Sequence, residues 1–265
     1  MPFLISRRLS SRAIRVVALA VLVVASLVVG AWHGAVGAET PTPSPGVSEI
    51  LSRAEQQFAA TKSVHFNLRV NGQSFLDTKH TLQLLGAQGD IVRPDKASLT
   101  VHAKVENAAT VSIKLIAVGG NTWWTNLVSG KWEPAPTGLE FDPTSLFDSK
   151  VGIGAVMAKL QQPKLLGSDK VDGHATYHVQ AQVPASVLAP LTINAMTVSP
   201  VTVDLWIDEE TFDLRRIQLA EPERASMAHP ATWELDLSRQ NKPVTIEAPA
   251  PPATPQASPA ASPAA

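Results

Sequence analysis

The side chains of this chain that could do chemistry are seven histidines and a run of three acids, Asp208-Glu209-Glu210. Two of the histidines, His174 and His178, are four residues apart, which is a metal-binding spacing on a helix. They follow the turn sequence Asp172-Gly173 and open an alternating segment, so the local pattern predicts a strand. On a strand these two side chains lie about 13 Å apart, too far for one metal ion. The pattern therefore predicts no metal site.

The other polar candidates have structural explanations. The acidic run lies where the chain is predicted to reverse between two strands, as a charged hairpin tip. His65 and His102 fall on the polar faces of predicted strands and are expected to be solvated or paired across strands. The sequence contains no HExxH, GxSxG or glycine-rich phosphate-binding motif. We therefore expect no enzymatic activity, no catalytic residue, no metal and no cofactor.

The composition excludes several further classes of protein. The 265 residues are 45% hydrophobic and 17% charged, and none is cysteine. The lack of cysteine excludes disulfide scaffolds, thiolate zinc sites and cysteine nucleophiles. The formal net charge is −1, and because residues 1–38 carry four arginines and no acid, the remainder is mildly acidic. Such a surface has no general attraction for polyanions, so we expect no nucleic-acid binding.

Residues 1–38 have the plan of an export signal, in which basic residues precede an apolar stretch and small residues at a cleavage site. The arginines precede an uncharged run from Val16 to Trp32, and Val36-Gly37-Ala38 allows cleavage before Glu39. The run is also near the minimum of about 17 residues for a bilayer span, so an uncleaved anchor is the alternative. Arg7-Arg8 leaves the twin-arginine route open. In either case we expect an exported protein of the cell envelope, secreted or anchored outside the cytoplasmic membrane.

Proline-rich segments flank the predicted body of the protein. Residues 39–46 contain three prolines and are predicted to form a stiff tether. Residues 248–265 contain six prolines and eight alanines without a charge or an aromatic ring, which predicts a disordered tail. We interpret the tail as an inert spacer, with a wall-threading or partner-docking role as the alternative. The remaining residues, 47–247, are expected to form one domain.

The periodicity of that domain changes from helical to strand-like. Apolar residues recur on one helical face from Val47 to Phe58, with Ser44 and Pro45 suited to the helix start. From Val64 onward, apolar and polar residues alternate in the segments 64–72, 99–105, 111–115, 177–183, 201–207, 212–219 and 232–237. Alternation of this kind predicts antiparallel strands with one buried face and one polar face. The predicted fold class is α+β and mainly antiparallel β.

Two other segments interrupt the strands. The first is a predicted helix over residues 146–160, with Asp142 as its cap and Pro143 in its first turn. Gly152 and Gly154 weaken this helix, which is therefore expected to be short or mobile. The second segment, residues 184–200, is apolar but irregular. It is expected to pack on the core as a loop or short helix, or to act as an apolar lid.

One hairpin carries a family resemblance. The sequence from Val203 to Leu219 is similar to the signature hairpin of the mycobacterial LppX/LprA/LprF/LprG lipoprotein family. The residues that carry this similarity are Val203-Asp204-Leu205-Trp206-Ile207-Asp208, Thr211, Leu214, Arg216-Ile217 and Leu219. Other stretches resemble elements of the same family in the same order, namely Ser63–Phe66, Gly89–Asp95, Gly167–Val179 and Pro243–Pro249. Together they cover the whole predicted body.

The resemblance implies a LolA/LolB-like fold, a curved antiparallel half-barrel whose concave face is covered by helices around an apolar cavity. It also implies a non-enzymatic protein that binds and carries, or presents, a lipid or an acylated glycolipid in the cell envelope. The alternative is an envelope sensor or scaffold that binds a protein partner through this fold, as RseB-like domains do. The family normally has an acylated lipobox cysteine, which this chain lacks. The protein is therefore expected to be released, or held by an uncleaved segment 16–32.

This fold gives roles to apolar residues of the strands and of the covering helix. The candidates for lining the lipid cavity are Phe66, Leu68, Val70, Leu99, Val101, Ile113, Leu115, Phe147, Val151 and Met157. An ordinary core position is the alternative for each of them. Trp123 and Trp124 point to opposite faces of a predicted strand, so one of them could dock on a membrane surface. Packing against Trp132 is the alternative. Segments 146–160 and 187–198 are the candidate gate.

Overall fold

The computed structural model describes residues 45–76, 79–105, 109–136, 142–192, 194–223 and 230–250. The predicted export segment, nearly all of the tether and the tail from residue 251 lie outside these residues. Within the described ranges, no helix combines the length and the hydropathy needed to cross a bilayer.

A single antiparallel sheet of 11 strands makes up most of the described chain. The strands are β1 (Ser63–Asn71), β2 (Leu82–Val92), β3 (Lys96–Val105), β4 (Thr110–Val118), β5 (Asn121–Thr125), β6 (Trp132–Pro134), β7 (Gln161–Val171), β8 (His174–Val183), β9 (Val201–Asp208), β10 (Leu214–Ala220) and β11 (Thr232–Ser238). Their order in space is β6-β5-β4-β3-β2-β1-β11-β10-β9-β8-β7. This open, curved sheet with few helices confirms the predicted α+β class.

The second strand approaches its neighbours so closely that it needs glycine. A Cβ atom on Gly89 would overlap the carbonyl oxygen of Ser98 in β3, and a Cβ on Gly86 would overlap the carbonyl oxygen of Leu68 in β1. The register of β2 against β3 also shifts between Leu84 and Gly86. Such a bulge bends a strand and increases its twist, which favours curvature at the centre of the sheet.

The first helix, α1 (Val47–Ala60), places Ile50, Ala54 and Phe58 in the core. The predicted helical face is therefore correct, and the predicted start is not. The N-cap residue is Gly46, whose backbone is still extended (φ −68°, ψ 156°), and the helix begins at the next residue. Pro45 precedes this cap, and the predicted cap residue at position 44 lies outside the described chain.

The predicted helix over residues 146–160 is wrong in its extent. The chain forms a 3-10 helix (Pro143–Phe147), a turn, and the short helix α2 (Ile153–Met157). A Cβ on Gly152 would lie 2.6 Å from the backbone oxygens of Leu146 and Asp148, so this tight turn requires glycine and separates the two helices. The predicted cap is correct, because the Asp142 side chain accepts the Thr144 N–H over 2.9 Å. A third short helix, α3 (Ala185–Leu188), opens the segment after β8.

Candidate functional site

An apolar cavity of about 240 Å³ lies between the sheet and the segments that cover it. Its walls are side chains of β1, β2, β3, β9, β10 and β11, and its cover comes from α1, the 3-10 helix, α2 and residues 188–192. Among the described residues that line it, Thr192 and Trp233 are the ones whose side chains carry an O–H or N–H group. The Thr192 hydroxyl donates to the Leu188 carbonyl oxygen, and the Trp233 indole donates to Ser74 Oγ. The cavity therefore suits hydrocarbon and offers no counter-charge to a polar head group.

The first part of the cover is held by aromatic packing. Phe147, at the end of the 3-10 helix, stacks on Phe58 of α1 with ring centroids 5.3 Å apart. The Arg93 guanidinium lies 4.7 Å from the centroid of the Phe147 ring and donates to the backbone oxygen of Ala59. Hydrogen bonds from the N–H groups of Lys150 and Val151 lower the pKa of the Asp148 carboxyl in the following turn. This part of the cover is thus fixed by a few contacts rather than by a long helix.

The second part of the cover, residues 184–200, is held at its two ends. The Ala185 N–H donates to Ser199 Oγ over 2.8 Å, which closes the segment on itself. Glu221, just beyond β10, accepts the N–H groups of Thr197 and Val198 at 2.7 and 2.9 Å. Between these points, Leu188 is buried and lines the cavity. The segment therefore packs on the core as expected, and Glu221 is the charged residue that fastens it.

The structure brings six of the ten predicted cavity residues together. The ones that line the cavity are Phe66, Leu68, Leu99, Val101, Phe147 and Met157. Their role in lipid binding stays a prediction.

The other four predicted residues do not line the cavity. Ile113 and Leu115 are buried on β4, one strand beyond the last strand on that side that reaches the cavity. Val70 is buried near the end of β1, where its neighbour Trp233 on β11 forms the wall. Val151 is 37% exposed, because the chain turns at Gly152 instead of continuing as a helix.

Much of the cavity wall is formed by residues that the sequence does not single out as lining residues. Inward-facing residues of β9, β10 and β11, among them Val203, Leu205 and Leu237, line it. The same alternation that identified these strands could have identified these residues. Leu84 and Ile91 of β2 also line the cavity, but the glycines and the bulge of that strand weaken its alternation.

The two adjacent tryptophans point to opposite faces, as predicted. Trp124 pairs with the buried Leu115 and packs against the core, whereas Trp123 pairs with Ile116 on the other face. Trp132, on β6, pairs with Thr125 of β5. Because Thr125 and Trp123 are two residues apart on the same strand, Trp132 lies on the same face as Trp123. Membrane docking by either residue stays a prediction.

The predicted polar residues lie away from the cavity. His65 Nδ1 is 2.9 Å from Asp90 Oδ1, and His178 Nε2 is 2.8 Å from Asp204 Oδ1. Both pairs lie on the outer face of the sheet, since their strand neighbours point inward. The described part of the chain contains no group of three or more histidines, cysteines or acids placed to hold a metal ion.

The acidic run is a hairpin turn, as predicted. Asp208 is buried, and its side chain accepts the N–H groups of Glu210 and Thr211. Burial alone would raise the pKa of the Asp208 carboxyl, but these bonds and the Arg215 guanidinium, 2.8 Å away, hold it below its ordinary value. His174 Nδ1 also lies 3.1 Å from this carboxylate. Asp208 therefore shapes the turn between β9 and β10.

The body of the chain matches one protein family over almost its whole length. Residues 47–246 match the family model described as LppX_LprAFG lipoprotein. The chain belongs to the LppX_LprAFG family. The resemblance carried by the β9–β10 hairpin is thereby confirmed.

Two relatives in the LppX_LprAFG family have names that state what they transport or carry. LprF of Mycobacterium tuberculosis, whose name refers to diacylated glycolipid transport, is 27% identical over 193 residues, 70% of this chain and 71% of LprF. The lipoarabinomannan carrier protein LprG of Mycobacterium leprae is 22% identical over 209 residues, 78% of this chain and 84% of LprG.

Solved structures of the family share the fold. The crystal structure of LprF from Mycobacterium bovis matches with a TM-score of 0.62 at 23% identity, over 78% of this chain and 100% of that one. The structure of LppX from Mycobacterium tuberculosis matches with a TM-score of 0.54 at 17% identity, over 76% and 98% of the two chains.

Proposed function

We propose that this protein binds the acyl chains of a lipid or acylated glycolipid in its cavity and carries or presents that lipid in the cell envelope. The observation that carries the proposal is the cavity, whose described lining residues bear no charged side chain. The names of LprF and LprG, which refer to diacylated glycolipid transport and to lipoarabinomannan carriage, support the same ligand class. In this proposal the protein catalyses no reaction.

The same proposal assigns roles to the rest of the chain. Residues 1–38 direct export, so that residues 47–247 act outside the cytoplasmic membrane, either released or anchored by segment 16–32. Residues 39–46 serve as a tether and residues 248–265 as a spacer. Without a lipobox cysteine, the protein meets its donor and acceptor membranes through its own surface or through that anchor.

The energetics of transfer make the cover important. Each methylene removed from water contributes about 0.8 kcal/mol. The competing environment is a bilayer, in which the same methylenes are already out of water, so the net free energy of transfer is close to zero. The rate of exchange is then controlled by opening of the cavity, as with other gated sites. The segments that open are the candidate gate segments, residues 146–160 and 187–198.

The test fills the cavity from one strand and uses the opposite face as its control. Val101 lines the cavity, whereas Thr100, its neighbour on β3, points away from it. Val101→Trp is expected to remove lipid that co-purifies with the full chain from a mycobacterial host, because the indole occupies ligand space. Thr100→Trp is expected to retain it. Native mass spectrometry and lipid extraction measure the bound lipid.

A wild-type protein that is free of lipid and cannot be loaded from liposomes would contradict the carrier function and favour the sensor or scaffold alternative. Equal lipid occupancy in both tryptophan variants would show that the lipid binds elsewhere. Thermal unfolding of both variants controls for overpacking, which costs about 1–3 kcal/mol in a filled core.

A further inference from the structure

The tip of the β5–β6 hairpin, residues 126–131, exposes two adjacent apolar side chains. Leu127 is 47% exposed and Val128 is 97% exposed. Lys131 is exposed at the base of the same tip. The two side chains are apolar and adjacent, so moving them together from water into an apolar environment is favourable.

The tip is held in shape by hydrogen bonds. Asn126 Oδ1 accepts the N–H groups of Val128 and Ser129, both over 2.9 Å. The Asn126 N–H donates to the Lys131 carbonyl oxygen over 2.9 Å, and the Gly130 N–H donates to the Asn126 carbonyl oxygen over 2.8 Å. The apolar side chains are therefore presented by an ordered turn, and little conformational entropy is lost when they become buried.

The size and chemistry of the tip favour a bilayer over a protein. Two side chains bury far less than the roughly 1,000 Å² that a specific protein interface needs, whereas even a few apolar side chains can enter a bilayer. Lys131 complements anionic head groups. Trp123 and Trp132, half-buried on one face of the hairpin behind the tip, are of the residue type that prefers the membrane interface. We propose that Leu127 and Val128 insert into the surface of an anionic bilayer and dock the protein there.

Docking at this tip turns toward the membrane the same end of the sheet from which the covering segment 184–200 departs. Neighbouring strands of the sheet are antiparallel throughout, so β5 and β8 end on the same end of the sheet. The tip follows β5 and the covering segment 184–200 follows β8. This inference rests on the proposed carrier function, because it supplies the place where the lipid enters and leaves.

The absence of native cysteine allows a single, specific label on the full chain. Val128→Cys places an environment-sensitive nitrobenzoxadiazole fluorophore at the tip. Leu166→Cys places it at an exposed apolar position, 52% exposed, on β7 at the opposite edge of the sheet. Vesicles of phosphatidylcholine with phosphatidylglycerol are expected to shift the emission of the tip label to the blue, with quenching by nitroxide lipids. The label at position 166 is expected to stay unchanged.

Two second-site variants test the chemistry of the tip. Leu127→Ser, added to the tip-labelled chain, is expected to raise the lipid concentration for half-maximal signal about tenfold, the effect of losing one buried leucine side chain. Lys131→Glu is expected to weaken insertion into vesicles that contain phosphatidylglycerol and to leave pure phosphatidylcholine vesicles unaffected.

The docking proposal fails if the tip label stays in water with every vesicle, which would leave the tip to a protein partner, or if the control label responds equally. Native mass spectrometry of the same labelled chains separates this failure from that of the carrier function. Bound lipid without insertion overturns docking alone, and a chain that never holds lipid overturns the carrier. Both labelled positions are exposed, and unfolding midpoints confirm that the variants fold.

Discussion

Replacement of Glu221 by glutamine is expected to speed lipid exchange, because it loosens the segment that covers the cavity. The Glu221 carboxylate is 6% exposed and accepts the N–H groups of Thr197 and Val198 at 2.7 and 2.9 Å. Among the described residues, it is the charged group that fastens the C-terminal part of segment 184–200.

The size of the effect follows from the two hydrogen bonds. A hydrogen bond to a charged group contributes about 1.5–3 kcal/mol and a neutral one about 0.5–1.5 kcal/mol. Glutamine keeps an acceptor oxygen and loses the charge, so the two bonds together lose about 2 kcal/mol. Since 1.4 kcal/mol corresponds to a factor of ten, the opened segment becomes about 30-fold more populated. Where opening limits exchange, the exchange rate rises by the same factor.

The assay follows transfer of a fluorescent acyl lipid from the loaded protein to vesicles by stopped flow. Hydrogen exchange at the amides of Thr197 and Val198 is measured on the same protein and is expected to accelerate. Glu223→Gln, at an exposed acid two residues along the chain, is the matched control and is expected to change neither rate. Lost amide protection with an unchanged lipid-transfer rate would refute this segment as the gate. Unchanged protection would refute the role of Glu221 itself.

Three further substitutions test the covering turn, the helix α2 that follows it, and the hairpin turn between β9 and β10. Gly152→Ala is expected to lower the free energy of unfolding by about 1–3 kcal/mol, because its Cβ would meet two backbone oxygens at 2.6 Å. Gly154→Ala, with space around its Cβ, is expected to stabilise α2 by up to about 1 kcal/mol, and thermal unfolding measures both. With Asp208→Asn, the free energy of unfolding is expected to decrease less steeply than in the wild type as the pH is lowered below about 4. The lowered pKa of Asp208 means that its stabilisation is present above the unfolded-state pKa and disappears as the pH falls through the folded-state pKa. Urea unfolding at several pH values measures this dependence, and Glu247→Gln, at an exposed acid, is the control. The same pH dependence in both variants would contradict the prediction.

Most of the sheet could be predicted because burial of one face imposes alternation. In β1, for example, Val64 and Phe66 are buried while His65 and Asn67 between and after them are not. The strand β7 has no such signal, since nearly all of its residues are exposed. An edge strand with little contact on either face leaves no hydrophobic period in the sequence.

The cavity could be predicted only in part, because its wall depends on the order of the strands in space. Leu99 on β3 and Leu115 on β4 are both buried inward-facing leucines, and their sequence patterns are equivalent. Only Leu99 reaches the cavity, since β4 lies farther from the central strands. Likewise, nothing in the sequence around Glu221 shows that its carboxylate meets residues 197–198, which are more than 20 positions earlier.

The cavity wall is built from two separate runs of the chain, which are joined by the pairing of β1 with β11. Strands β1 to β3 form one side, strands β9 to β11 form the other, and they meet where Phe66 pairs with Leu237. This contact joins residues far apart in sequence, so its formation is expected to be a late step of folding. During synthesis, which proceeds from the N-terminus, the cavity wall cannot be complete until β11 has appeared. A chain that is still being synthesised, or one that ends before β11, therefore has no closed cavity in which to hold an apolar ligand.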